Sequence, residues 1–258
     1  MSSFVRPEKN TLYDIPMSNH SGRVKFIIKA KGLQDEFDIV SPSTIGGSRG
    51  PAYLRIHPQG KVPALVTSDG DIIPESDTVS KYLIEKYADR SPSLIPSNMS
   101  IKYLGEGITR MHDLYISSIQ ATMYAPPGIP IGSVGTNRAA GFVELKRQFY
   151  IIENQLNYFE EIHPEYRDKL QPFLCGEEIS YADAVLYPTL VVALFLLPQV
   201  YGYTVTDYVG DRLLTWFEYM SNNVECAIQL KSEMDNALAA WKESGWFAPI
   251  LAEMKVQE

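Results

Sequence analysis

The stretch HPQGKVPALVTSDGDIIPES, running from His57 to Ser76, decides the fold. His57-Pro58 and Gly60 end whatever precedes them, since proline cannot extend a helix and glycine opens a turn. Val62 to Val66 is a short apolar strand interrupted by Pro63, which lacks the N–H that a sheet ladder uses. Ser68-Asp69-Gly70-Asp71 supplies a tight polar turn, and Ile72-Ile73 starts a second strand. Glu75-Ser76 opens an apolar-periodic helix over Asp77 to Tyr87. The proline inside a strand and the acid–hydroxyl pair at a helix start both point to a ligand site.

Upstream, Asn10 to Asp14 is a short strand, and Ser18 begins a helix that ends at Lys31-Gly32. Val24, Ile27, Ile28 and Ala30 share one face of that helix, with Gly32 as its C-terminal cap. Phe37 to Val40 is a second strand. A Ser/Gly-rich loop over Ser41 to Gly50 and a helical turn over Pro51 to Leu54 lead back to His57. The order βαβ, loop helix, ββα resembles a thioredoxin-like module.

Downstream, DRSPSLIPSNMS (Asp89 to Ser100) is rich in Pro and Ser, lacks periodicity and reads as a linker. The remainder reads as helices over Ile101–Tyr124, Asn137–Ile162, Ser180–Leu197, Val209–Asn223 and Glu225–Ser244, with a break at Ala125 to Gly135. The expected organisation is an α/β module over residues 10–88, a linker over 89–100 and an all-α bundle over 101–250. Ser180 and Asp183 are spaced as a capping box, with Ile179 as an apolar staple.

Composition narrows the class. With 258 residues, 45% apolar and 21% charged, the chain can bury a large core in two units. A net charge of −8 argues against a nucleic-acid partner, which needs a basic face. Cys175 and Cys226 are too few and too far apart for a disulfide framework and fit a reducing, cytoplasmic setting. The start MSSFVRPEKN has no apolar core, so no signal peptide is expected. The longest apolar run, Ala184 to Leu197, contains Pro188 and is too short to span a bilayer, so no membrane role is expected. His20, His57, His112 and His163 lack metal-ligand spacing, so no metal is expected.

Four segments in order, PMSNHSGRVKFIIKAKGL, SRGPAYLRIHPQGKVPAL, the Glu75-Ser76 pair and FLCGEEISYADAVLYPTL, resemble the cytosolic glutathione transferases. The resemblance runs from about Leu12 to Trp246 and is closest to the serine-type classes, phi and to a lesser degree tau. It implies a glutathione co-substrate, a homodimer, and conjugation of the glutathione thiolate to a hydrophobic electrophile. A glutathione-dependent isomerase, β-etherase or dehalogenase, and a non-catalytic binding scaffold on the same fold, are the alternatives.

The resemblance also assigns roles. Ser18 matches the catalytic serine, donating a hydrogen bond to the bound thiolate; Asn19, Ser21 and Tyr13 are rivals for that duty. Serine in place of cysteine disfavours mixed-disulfide reductase chemistry. Val62-Pro63, expected in the cis form, offers backbone pairing to the cysteinyl unit. Glu75 suits the γ-glutamyl ammonium. Ser76, with free amides at a helix start, suits the γ-glutamyl carboxylate. Arg49 and Lys61 are expected at the glycine carboxylate, with Ser48 where phi enzymes commonly carry histidine. Met17, Met111, Tyr115, Ile119 and Phe247 are the expected walls of the co-substrate pocket.

Overall fold

The computed structural model describes residues 6–167 and 170–257, leaving aside the side chains of 256 and 257. Residues 1–5 of the polar start lie outside the described residues.

A four-stranded sheet organises the first part. Its strands are β1 (Asn10–Tyr13), β2 (Phe37–Val40), β3 (Ala64–Val66) and β4 (Ile72–Pro74), in the order β2-β1-β3-β4. β1 and β2 are parallel, while β3 is antiparallel to β1 and to β4. This is the thioredoxin-like arrangement: a crossover helix joins the parallel pair, and a hairpin follows. The helix is α1 (Asn19–Ala30), with Ser18 as its N-cap accepting from the Ser21 amide. α1 buries Val24, Phe26, Ile27 and Ile28 almost completely, each worth roughly 1.5–3 kcal/mol of transfer free energy. A short turn, α2 (Pro51–Leu54), precedes the hairpin, and α3 (Ser76–Lys86) closes the unit.

The rest is helical: α4 (Met99–Met111), α5 (Ser117–Ile119), α6 (Arg138–Ile162), α7 (Tyr181–Tyr201), α8 (Asp211–Asn223), α9 (Glu225–Glu243) and α10 (Ala248–Gln257). The first of these starts at Met99 rather than Ile101, because Asn98 caps it by accepting from the Ile101 amide. The long helix expected over Ile101–Tyr124 is not uniform: a π-helical turn over His112–Ile116 separates α4 from α5, and a 3-10 turn over Gln120–Met123 follows.

α7 is the central helix, packed against α1, α4, α8 and α9. It is long and apolar enough to cross a membrane, yet two-thirds of its most apolar window is buried inside the protein (67%). The capping box forms: the Ser180 amide donates to Asp183 Oδ2 (2.8 Å), and Leu174 N and Trp216 Nε1 donate to Oδ1. Gly22 lets α1 meet α7 closely, since a Cβ there would lie 2.7 Å from Pro188 Cβ. Lys31, 3% exposed, donates to the carbonyls of Tyr87, Arg90 and Pro92 and so ties the segment after α3 to the end of α1. One continuous hydrophobic core runs from the sheet through the helices. Cys175 and Cys226 are buried free thiols, and burial pushes both thiol pKa values up.

Candidate functional site

An open cleft of about 860 Å³ lies where the hairpin, α1 and the α4–α5 segment meet. Its first wall is His57, Lys61, Val62, Glu75, Ser76 and Asp77; its second is His20, Asp113, Ser117 and Ser118. Four of the residues expected to hold glutathione, Lys61, Val62, Glu75 and Ser76, therefore border one space.

The first wall is shaped by backbone. The Val62-Pro63 bond is cis, and β3 begins only at Ala64, so Val62 stands outside the ladder. Tyr53 Oη donates to the Lys61 carbonyl (2.6 Å), fixing the approach to the strand. Glu75 has φ +71°, a left-handed conformation rare for a side-chain-bearing residue and costing on the order of 1–3 kcal/mol. Such strain at the mouth of a helix is characteristic of ligand sites. Ser76, 8% exposed, is the first residue of α3, where amides lack intrahelical partners and the helix dipole favours anions. Asp77, the next residue, accepts from Tyr181 Oη and Lys81 Nζ, both at 2.9 Å.

Two other expected residues lie outside the cleft lining. Ser18 is half-buried at the α1 start. Its oxygen accepts from the Ser21 amide at 3.2 Å, which leaves its hydroxyl proton free to donate. Arg49 is exposed beside the Gln59-Gly60 turn, its guanidinium donating to Gln59 O (3.0 Å), and it does not line the cleft.

His57 lines the wall without having been singled out by its sequence. It is 2% exposed, its Nδ1 is buried without a partner among the described residues, and Nε2 lies 3.7 Å from Glu75 Oε1. Burial lowers its pKa, against the pull of Glu75 upward.

The second wall departs from expectation. Met111, Tyr115 and Ile119 are spaced by four, as one face of an α-helix. The π turn inserts a residue between them, rotating the residues beyond it by about 100°. Tyr115 is consequently 50% exposed, Ile119 is 1% exposed in the core, and Ser117 and Ser118 border the cleft. Phe247, 3% exposed, packs on Trp241 at 5.0 Å between ring centres. Met17 and Met111 pack against the core half-buried. None of the five lines this cleft.

Behind the second wall lies a buried polar cluster that joins the two parts of the chain. Arg23, 1% exposed, pairs with Asp113, donates to Tyr181 Oη (3.4 Å) and approaches His112 Nδ1 (3.1 Å). His112 Nε2 lies 2.7 Å from Thr189 Oγ1, which also accepts from Asn19 Nδ2. Burial raises the Asp113 pKa, but hydrogen bonds from His112 and Arg23 outweigh it and hold the carboxyl well below its usual range. Among the described residues no three His, Cys, Asp or Glu side chains gather to hold a metal ion.

Residues 12–91 match the family model described as Glutathione S-transferase, N-terminal domain. Over 244 residues the chain is 33% identical to Glutathione S-transferase zeta class of Euphorbia esula, covering 92% of this chain and 94% of that protein. The chain belongs to the glutathione transferase family. Two further matches are partial. Maleylacetoacetate isomerase of Pseudomonas aeruginosa is 32% identical over 114 residues, 42% of this chain and 53% of that protein. Glutathione S-transferase 3 of Zea mays is 36% identical over 90 residues, 34% of this chain and 39% of that protein. The structure of glutathione transferase F2 from Populus trichocarpa superposes with a TM-score of 0.63 at 21% identity, covering 88% of this chain and 99% of that one, a likeness of fold.

Proposed function

We propose that the chain is a serine-type glutathione transferase that binds glutathione in this cleft and presents its sulfur as thiolate to an electrophile. The observation that carries the reading is the convergence of Lys61, Val62, Glu75 and Ser76 on one space beside the start of α1. The γ-glutamyl carboxylate takes the Ser76 hydroxyl and the free amides of α3, and the ammonium takes Glu75. Val62, outside the ladder ahead of the cis Pro63, pairs through its backbone with the cysteinyl unit. Lys61 meets the glycine carboxylate, with Arg49 behind it. Ser18 donates to the sulfur. A thiol of pKa about 8.5 is mostly protonated at neutral pH, and a helix N-terminus with a hydroxyl donor lowers that value by a unit or more.

The division into units 10–88 and 101–250 joined by 89–100, a homodimeric state and a cytoplasmic location belong to the same proposal. A glutathione-dependent isomerase is the second reading, favoured by the match to the Pseudomonas isomerase. Retention on immobilised glutathione, with turnover of a chlorodinitrobenzene-type electrophile, supports the transferase. Retention with isomerisation of a cis-enone and no conjugate supports the second reading. Retention with neither leaves a binding scaffold.

A further inference from the structure

The second wall carries a side chain whose state is fixed from behind. His20, in the first turn of α1, borders the cleft two residues after Ser18. Asn19 Nδ2 donates to Gln120 Oε1 (2.8 Å), which turns Gln120 Nε2 toward His20 Nε2 at 3.2 Å. Gln120 Nε2 also lies 3.4 Å from Asn19 Oδ1, and Asn19 itself is anchored on Thr189. An amide nitrogen only donates, so His20 Nε2 must be the acceptor and Nδ1 must carry the ring proton. Among the described residues nothing bonds Nδ1, and it is not sealed from solvent. Burial first, then His112, Arg23 and Lys61, push the His20 pKa down to about 3 against the opposing Asp113. The ring therefore stays neutral, and its one free polar atom is an N–H.

We infer that His20 is a specificity-determining residue, a fixed Nδ1–H donor that selects electrophiles whose oxygen gains negative charge as sulfur adds. This rests on the proposed transferase reading. On the rest of that wall Ser118 donates its hydroxyl to the Tyr115 carbonyl, the Ser117 oxygen is buried, and the Asp113 carboxylate is neutralised by Arg23, which leaves the His20 N–H as the free donor. An α,β-unsaturated ketone is the simplest member of the class. The thiolate pair forms the new C–S bond at the β-carbon, the C=C π pair shifts to join the α-carbon to the carbonyl carbon, and the C=O π pair moves onto oxygen to give an enolate. Water then protonates the α-carbon, replacing the proton that the thiol gave to solvent, so no oxidant or reductant enters. A neutral donor held in place at the cleft by Gln120 costs little reorganisation and keeps its proton throughout the working pH range.

The test compares kcat/KM for an α,β-unsaturated ketone with that for benzyl chloride, whose displacement develops no oxyanion, in wild type, His20→Leu and His20→Gln. The ketone-to-chloride ratio is expected to fall on the order of a hundredfold in His20→Leu. It should recover in part in His20→Gln, whose amide restores an N–H. Thermal melts of both variants separate lost folding from lost selectivity. A ratio that stays constant in His20→Leu overturns the inference, whether both rates hold or both fall. Wild type that turns over benzyl chloride and not the ketone overturns it too, and leaves the transferase reading standing. Wild type that neither binds glutathione nor turns over either compound overturns both.

Discussion

The two walls of the cleft are built by different means. The wall from His57 to Asp77 is set by backbone: a cis proline, a positive φ at Glu75 and the open amides of α3. The part of the other wall made by Asp113, Ser117 and Ser118 is set by which face a helix turns, and a single π turn decides that. Backbone devices leave local marks, since proline, glycine and a helix-start serine each act where they stand. A helical face depends on the register of every residue before it. One inserted residue exchanged an apolar stripe for two serines and an aspartate.

Arg23 pairs with Asp113 of one wall and donates to Tyr181, which in turn donates to Asp77 of the other, and removing it should break the comparison most severely. Arg23→Met strands the Asp113 carboxylate and should cost about 3–5 kcal/mol in a denaturant titration. The acid limb adds a second check. The folded pKa of Asp113 is depressed, so its stabilisation is present above about pH 4 and is lost as pH falls through the lower folded value. Wild type should thus lose stability in acid more steeply than the variant; equal slopes would remove Arg23 from this role.

Ser18→Ala is next. Turnover should fall roughly a hundredfold with glutathione affinity nearly kept, the pattern of a contact made to the reacting sulfur. Full activity would reduce Ser18 to a helix cap. Glu75→Gly separates strain from binding. Glycine accepts φ +71° freely, so stability should stay within about 1 kcal/mol of wild type. Glutathione affinity by calorimetry should meanwhile drop about tenfold with the carboxylate gone. Unaltered affinity would remove Glu75 from the site. Tyr115→Ala should do least, changing stability by no more than about 0.5 kcal/mol, because the π turn leaves that ring half-exposed. A large loss of turnover there would return the apolar stripe to the cleft.

The same contrast explains how much of the molecule was legible in its sequence. The strand and helix order of the first unit, the helix starts at Ser18 and Asn137, the capping box and the cis Val62-Pro63 bond all rest on short stretches of residues whose chemistry favours one local geometry. The convergence of Lys61, Val62, Glu75 and Ser76 comes with that hairpin. The π turn was not legible, because HDLYI carries no glycine or proline to announce it. Nor were the Asn19–Gln120–His20 relay and the Arg23–Asp113 pair. Their partners stand 100 and 90 residues apart and meet only when α1 docks beside α4–α5. His57 escaped notice because next to proline it reads as a loop residue, while packing buries it against Glu75.

The central claim, that the hairpin wall and the start of α1 together hold glutathione, is tested most directly by a crystal structure of the chain soaked with S-hexylglutathione. The expected density has the γ-glutamyl carboxylate on Ser76 and its ammonium at Glu75, the cysteinyl backbone along Val62, and the sulfur within hydrogen-bond reach of Ser18. Density elsewhere on the molecule, or an empty cleft at a saturating concentration, would contradict it.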